Sequence, residues 1–147
     1  MKINRILFPA FTLILVLAIQ SAASAPVLPN PILYFLGAEY VELNGQQIIR
    51  YHFDVLNKDA YTNDLFTASP ELPPCGANTK AARTWIDIYD QSNKRLNGFC
   101  ALGTSADLSK IWFALESSVV PPSWIYIEMT DRKTNTKYKS NLADTTL

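Results

Sequence analysis

From Ile32 onward the chain is a succession of short apolar segments separated by turn signals, with almost no helical periodicity. The clearest of these signals is Asn44-Gly45, a dipeptide whose residues both accept the positive φ of a tight hairpin turn. Beyond it Ile49, Tyr51, Phe53 and Val55 alternate with Arg50, His52 and Asp54. A period of two puts one row of side chains in a core and the other in water. Residues 32–42 ahead of the turn are apolar and aromatic, and further strands are predicted over 83–89, 94–102, 108–116, 124–130 and 137–142. Turns at 90–93, 103–107 and 131–136 separate them, and Pro121-Pro122 breaks the chain once more. Seven strands with turns every 8 to 15 residues or so predict an all-β, antiparallel two-sheet sandwich.

That count and spacing resemble the fibronectin type III and immunoglobulin-like β-sandwiches over nearly the whole of residues 32–147. The segment from Trp124 to Asp131, continued through Tyr138-Lys-Ser-Asn141, looks most like the closing hairpin of the fibronectin type. The resemblance implies that strands 83–89 and 124–130 are neighbours. It implies no function, because such superfolds host many.

Ahead of the strands stand Lys2 and Arg5, an apolar run from Ile6 to Ile19, and Gln20-Ser-Ala-Ala-Ser-Ala25. Positive n-region, apolar h-region and small-residue cleavage site in that order read as a secretory signal peptide. The run is about fourteen residues, where a spanning helix needs roughly twenty. Pro9 sits near its start and no positive cluster follows it, so a cleaved leader is expected rather than an anchor. Cleavage after Ala23 is preferred to cleavage after Ala25, which would place the rigid ring of Pro26 beside the bond. The expected organisation is a signal at 1–23, a Pro-rich tether at 24–31 and one domain at 32–147. The expected destination is secreted or periplasmic, in a bacterial cell, with no membrane span after cleavage.

Export sets the reading of charge and cysteine. Removing Lys2 and Arg5 leaves 11 basic residues against 13 acidic. A slightly acidic chain lacks the basic excess that nucleic-acid binding needs. Cys75 and Cys100 are the two cysteines, and an isolated pair in an oxidising compartment is expected to form a disulfide. It would close a loop of about 25 residues, worth roughly 3.5 kcal/mol in loop entropy. It would also pin the long polar, Pro-containing stretch 57–82.

Catalytic constellations are scarce. His52 is the one histidine, set among charged neighbours on the polar phase of its strand. Nucleophile elbows, HExxH, Walker loops and GxGxxG turns are missing. The ligands for zinc are missing too, and Asp87, Asp90 and Asn93 lack calcium-loop spacing, so no metal or cofactor is expected. Asp87 and Glu128 fall on the polar phase of neighbouring strands, but outward acids on an open sheet are poor acid–base partners. Arg132, Lys133, Lys137 and Lys139 cluster at the last hairpin, where lysine discourages sheet-to-sheet pairing.

The most suggestive pattern is the phase of the aromatics. Ile86 and Ile88 share one face of their strand, opposite Trp85, Asp87 and Tyr89. Ile125, Ile127 and Met129 share one face of theirs, opposite Trp124, Tyr126 and Glu128. With the isoleucines inward, the aromatic and acidic rows form one outer face, of the kind that marks binding sites on soluble domains. The 57–82 loop could instead cover that face, or the phase could be reversed. The expected function is a non-enzymatic binding module for a protein or a glycan. A small hydrolase using His52 and the loop, and an accessory subunit of an envelope assembly, are the alternatives.

Overall fold

The computed structural model describes residues 27–75 and 81–146. The leader expected at 1–23 and the cleavage sites lie outside them. Eight strands run through the described residues: β1 (Leu33–Leu43), β2 (Gln46–Val55), β3 (Thr84–Asp90), β4 (Arg95–Ala101), β5 (Ile111–Glu116), β6 (Trp124–Asp131), β7 (Thr136–Lys139) and β8 (Ala143–Asp144). They form two antiparallel sheets, β1-β2-β5 and β4-β3-β6-β7, with β8 beside the start of β6. The all-β sandwich is therefore as expected, with one short strand more than the seven.

The Asn44-Gly45 turn forms as its chemistry requires, with φ of 52° and 79°. It sets the register of β1 on β2, Leu43 opposite Gln46, and a bulge between Phe35 and Gly37 interrupts the ladder once. Beneath it the alternating residues build the core. Tyr51 and Phe113 stack with centroids 4.9 Å apart, and Phe53 lies 5.8 Å from Phe113. From the other sheet Ile86, Ile88, Ile125, Ile127 and Met129 close over them, all buried.

Two departures have local causes. Leu108, expected in a strand, lies in a 3-10 helix over Ser105–Ser109 and is buried in the core. Asp107 starts that helix by accepting the Thr104 N–H at 3.0 Å, a capping arrangement written in Thr104-Ser-Ala-Asp107. The 57–82 stretch folds into two further 3-10 turns, Lys58–Ala60 and Asn63–Phe66. These place Tyr61, Leu65 and Phe66 in the core beside Leu108. The stretch is therefore partly core, which its polar composition concealed.

The expected disulfide is not formed. The Sγ of Cys75 faces the Ala82 carbonyl at 3.9 Å and the Arg132 guanidinium at 3.0 Å, while the Cys100 thiol donates to the Cys75 carbonyl at 3.3 Å. Arg132 supplies the pin instead, donating to the carbonyls of Ala82 and Pro73 at 2.8 Å each. Arg83 adds a second, with two bonds to Asp131 at 3.0 and 2.9 Å and one to Asp64 at 2.7 Å. Burial raises the Asp131 carboxyl, but the Arg83 fork and the Lys133 N–H outweigh it and hold the group below its ordinary value.

The described part of the Pro-rich stretch lies against the body. The Tyr61 hydroxyl donates to the Pro29 carbonyl at 2.8 Å, and Asn57 brackets the turn into β1 by bonding Asn30 O and Ile32 N. Burial pushes the Tyr61 phenol up to about 12.

Candidate functional site

The inward isoleucines place Trp85, Asp87 and Tyr89 of β3 on the outer face of the larger sheet, with Trp124, Tyr126 and Glu128 of β6 beside them. Asp87 is directly opposite Glu128, and Tyr89 is opposite Tyr126. Trp85 pairs with Thr130, six positions along β6 from Trp124, or about 20 Å at strand rise. The face is therefore a row: Trp85 at one end, the two acids next, the tyrosine pair after them and Trp124 at the far end. The reversed phase is ruled out by the burial of Ile86 and Ile88.

Basic side chains from the flanking strands dress this row. Arg95 of β4 bonds Asp87 at 2.5 Å and lays its guanidinium 5.6 Å from the Trp85 ring centre. It has room to do so because Gly98 stands opposite Asp87, where an added Cβ would meet the Arg95 guanidinium. Lys137 of β7 bonds Glu128 at 2.7 Å, and Lys139 sits 3.9 Å above the Tyr126 ring. Such cation–ring contacts hold both partners in place. Lys137 is raised, first by its bond to Glu128 and then by that carboxylate's charge. Lys137 and Lys139, expected to guard an edge, thus also pair with the face, a role that strand phase without sheet order could not reveal.

Exposure along the row is uneven. Trp124 is 42% exposed and Tyr126 only 6%. The Tyr126 ring stacks on Tyr89 at 5.2 Å, and its hydroxyl donates to Asn93 at 2.7 Å. Burial, and then the charges of Asp87 and Glu128, raise the Tyr89 phenol. From the described part of the 57–82 loop, Cys75 approaches this face through Cys100, the register partner of Trp85. Among the described residues, Arg95 of β4 lies on the Trp85 ring, and Lys139 of β7 and Asn93 hold Tyr126. Asp90 and Asn93 serve that turn, since Asp90 accepts the N–H groups of Ser92 and Lys94 at 2.8 and 2.9 Å.

His52 is elsewhere, on the outer face of the smaller sheet. Its Nε2 meets Glu39 at 2.9 Å, and Arg50 reaches the same carboxylate at 3.2 Å. Bonding to His52 holds the Glu39 carboxyl below its usual range. Arg50 also packs 4.9 Å from the centre of the Trp112 ring, which is 44% exposed. Sequence reasoning missed Trp112, although its phase, opposite to Ile111 and Phe113, marks it as outward. Phe66, Ile86, Phe99, Ala101 and Leu108 line a separate cavity of about 220 Å³, with Asp107 and Lys110 also on its wall. Among the described residues no three His, Cys, Asp or Glu side chains gather as a metal site, and no helix is long and apolar enough to cross a membrane.

Comparison of the chain with protein-family models, with curated proteins and with solved structures found no match.

Proposed function

We propose that this chain is an exported, non-enzymatic recognition domain that binds a protein or a glycan through the outer face of its larger sheet. The observation that carries the reading is the single register row of Trp85, Asp87, Tyr89, Tyr126, Glu128 and Trp124. Aromatic rings give large contact area at small entropic cost, and acids and bases interleaved among them give direction. Arg95, Lys137 and Lys139 hold much of that row in place before a partner arrives, which lowers the ordering cost of binding.

Two further features fit the reading. The strand order keeps β3 and β6 together as a fibronectin type III or immunoglobulin-like sandwich would, with β4 on the β3-β6 side. The sequence at 1–25 has the form of a leader, which supports a secreted or periplasmic address.

The test is a fluorescence titration in a Trp112→Phe background, with soluble cell-wall oligosaccharides and purified envelope proteins as probes. A saturable change in emission that Trp124→Ala and Glu128→Gln abolish is expected. Binding that survives both substitutions would place recognition elsewhere. Turnover of generic ester or glycoside substrates that disappears in His52→Ala would favour the hydrolase.

A further inference from the structure

The described edge strands differ in how they discourage pairing. β7 is four residues long and carries Lys137 and Lys139. β4 carries Arg95 and has an irregular register beside Tyr89. β5 has its Trp112 carbonyl occupied by the Asn97 side chain at 3.3 Å. Short length, charge, bulges and caps are the usual means of protecting an edge. β1 runs eleven residues without Lys, Arg or Pro and leaves Leu36, Tyr40 and Leu43 exposed by 56%, 75% and 56%. Among the described residues, its backbone is capped at the start. Asn141 bonds the N–H and C=O of Leu33 at 2.8 and 3.0 Å, and the bulge then sets off a regular run from Gly37 to Leu43.

The hairpin determines which groups on that run are open. Leu43 and Gln46 flank a two-residue turn, so they exchange their backbone hydrogen bonds. Counting back by twos, Val41 and Glu39 face β2. Glu42, Tyr40 and Ala38 turn their N–H and C=O groups away from it.

We propose that this run pairs antiparallel with the same run of a second copy, about a twofold axis at Tyr40. The two three-stranded sheets then become one of six strands. A twofold contact uses one surface twice and closes on itself. Tyr40 meets Tyr40 of the second copy, Glu39 meets Val41, Ala38 meets Glu42, and Gly37 meets Leu43. No carboxylate directly opposes another, and Glu39 is already paired with Arg50 and His52. Other axes fit less well. One at Glu39 or Glu42 sets like charges face to face, which is unfavourable across a ladder. An axis at Ala38 runs into the bulge, and one at Val41 shortens the overlap. A seven-residue pairing falls in the weak class of interfaces, below about 1,200 Å². The pairing is independent of the aromatic face, which belongs to the other sheet.

Sedimentation velocity on the full chain as purified, across low to high micromolar concentration, should show a monomer–dimer equilibrium. Tyr40→Pro removes an N–H that the β1–β2 ladder does not use, so it should weaken the dimer about tenfold or more while circular dichroism is unchanged. Tyr40→Lys, which leaves the backbone intact, should do the same by setting like charges on the axis. Opposed residues in a hydrogen-bonded pair lie about 5.5 Å apart at Cα, within disulfide reach. Tyr40→Cys should therefore cross-link on mild oxidation where the wild type and Glu42→Cys do not. A monomer at every concentration overturns the proposal. So does a dimer indifferent to Tyr40→Lys, or one that cross-links through Glu42→Cys instead.

Discussion

Asp87 and Glu128 stand directly opposite each other on β3 and β6, and each is held by a different base: Asp87 by Arg95 at 2.5 Å, Glu128 by Lys137 at 2.7 Å. Two like charges at that spacing repel, and the two bases offset that repulsion on the shared face. Replacing Arg95 and Lys137 together by Gln should lower the melting temperature, more at low salt than at high. Adding Glu128→Gln should restore it. A triple variant no better than the double would show that the acids are indifferent to each other.

Arg83 and Asp131 form the more buried pair, with the Asp131 side chain 5% exposed. Arg83→Met strands that carboxylate and should cost about 3 kcal/mol in urea denaturation. In the wild type the folded Asp131 carboxyl titrates below its ordinary 3.8. The stability it contributes is complete above that value and is lost as pH falls through the lower folded value. In Arg83→Met burial still raises the carboxyl while the Arg83 bonds that lower it are gone. The acid-side loss from this group should therefore shrink, and the substitution should cost less at acid than at neutral pH. A profile unchanged by the substitution would contradict this.

Arg132 should be the clamp of the 67–82 segment. Arg132→Ala removes donors from Pro73, Ala82 and Cys75 and should cost about 1–3 kcal/mol through the carbonyls left behind. Cys75 should then react faster with a thiol reagent than in the wild type. Equal labelling rates would move the clamp elsewhere.

Phe113 and Trp112 are chain neighbours of opposite phase. Phe113→Ala empties the ring stack with Tyr51 and Phe53 and should cost about 3–5 kcal/mol. Trp112→Ala removes an exposed ring and should cost well under half as much. Similar losses at both positions would mean that the strand phase is misassigned.

Much of this was legible beforehand because a period of two is a local signal. Ile86 against Trp85 and Ile125 against Trp124 assign inner and outer faces without knowledge of a partner strand. The Asn44-Gly45 turn is equally local, since positive φ is a property of those two residues. The core role of Tyr61, Leu65 and Phe66 was hidden, because the polar residues around them follow no period. The cysteine pair misled for a different reason. Composition and the expected compartment say that two thiols could bond, but direction is set by the backbone at each, and Cys75 faces Arg132.

Alternation and turn chemistry in the chain are thus enough to specify an antiparallel sandwich and the dry side of β2, β3 and β6. They could not specify which strands lie side by side, because sheet order depends on contacts between residues far apart in sequence. The meeting of Asp87 with Glu128, the bases set over the tyrosines, the guanidinium clamp on the loop and the open edge of β1 all follow from that order. Each is a relation between separate strands or loops, and the packing of the two sheets is what brings them within bonding distance.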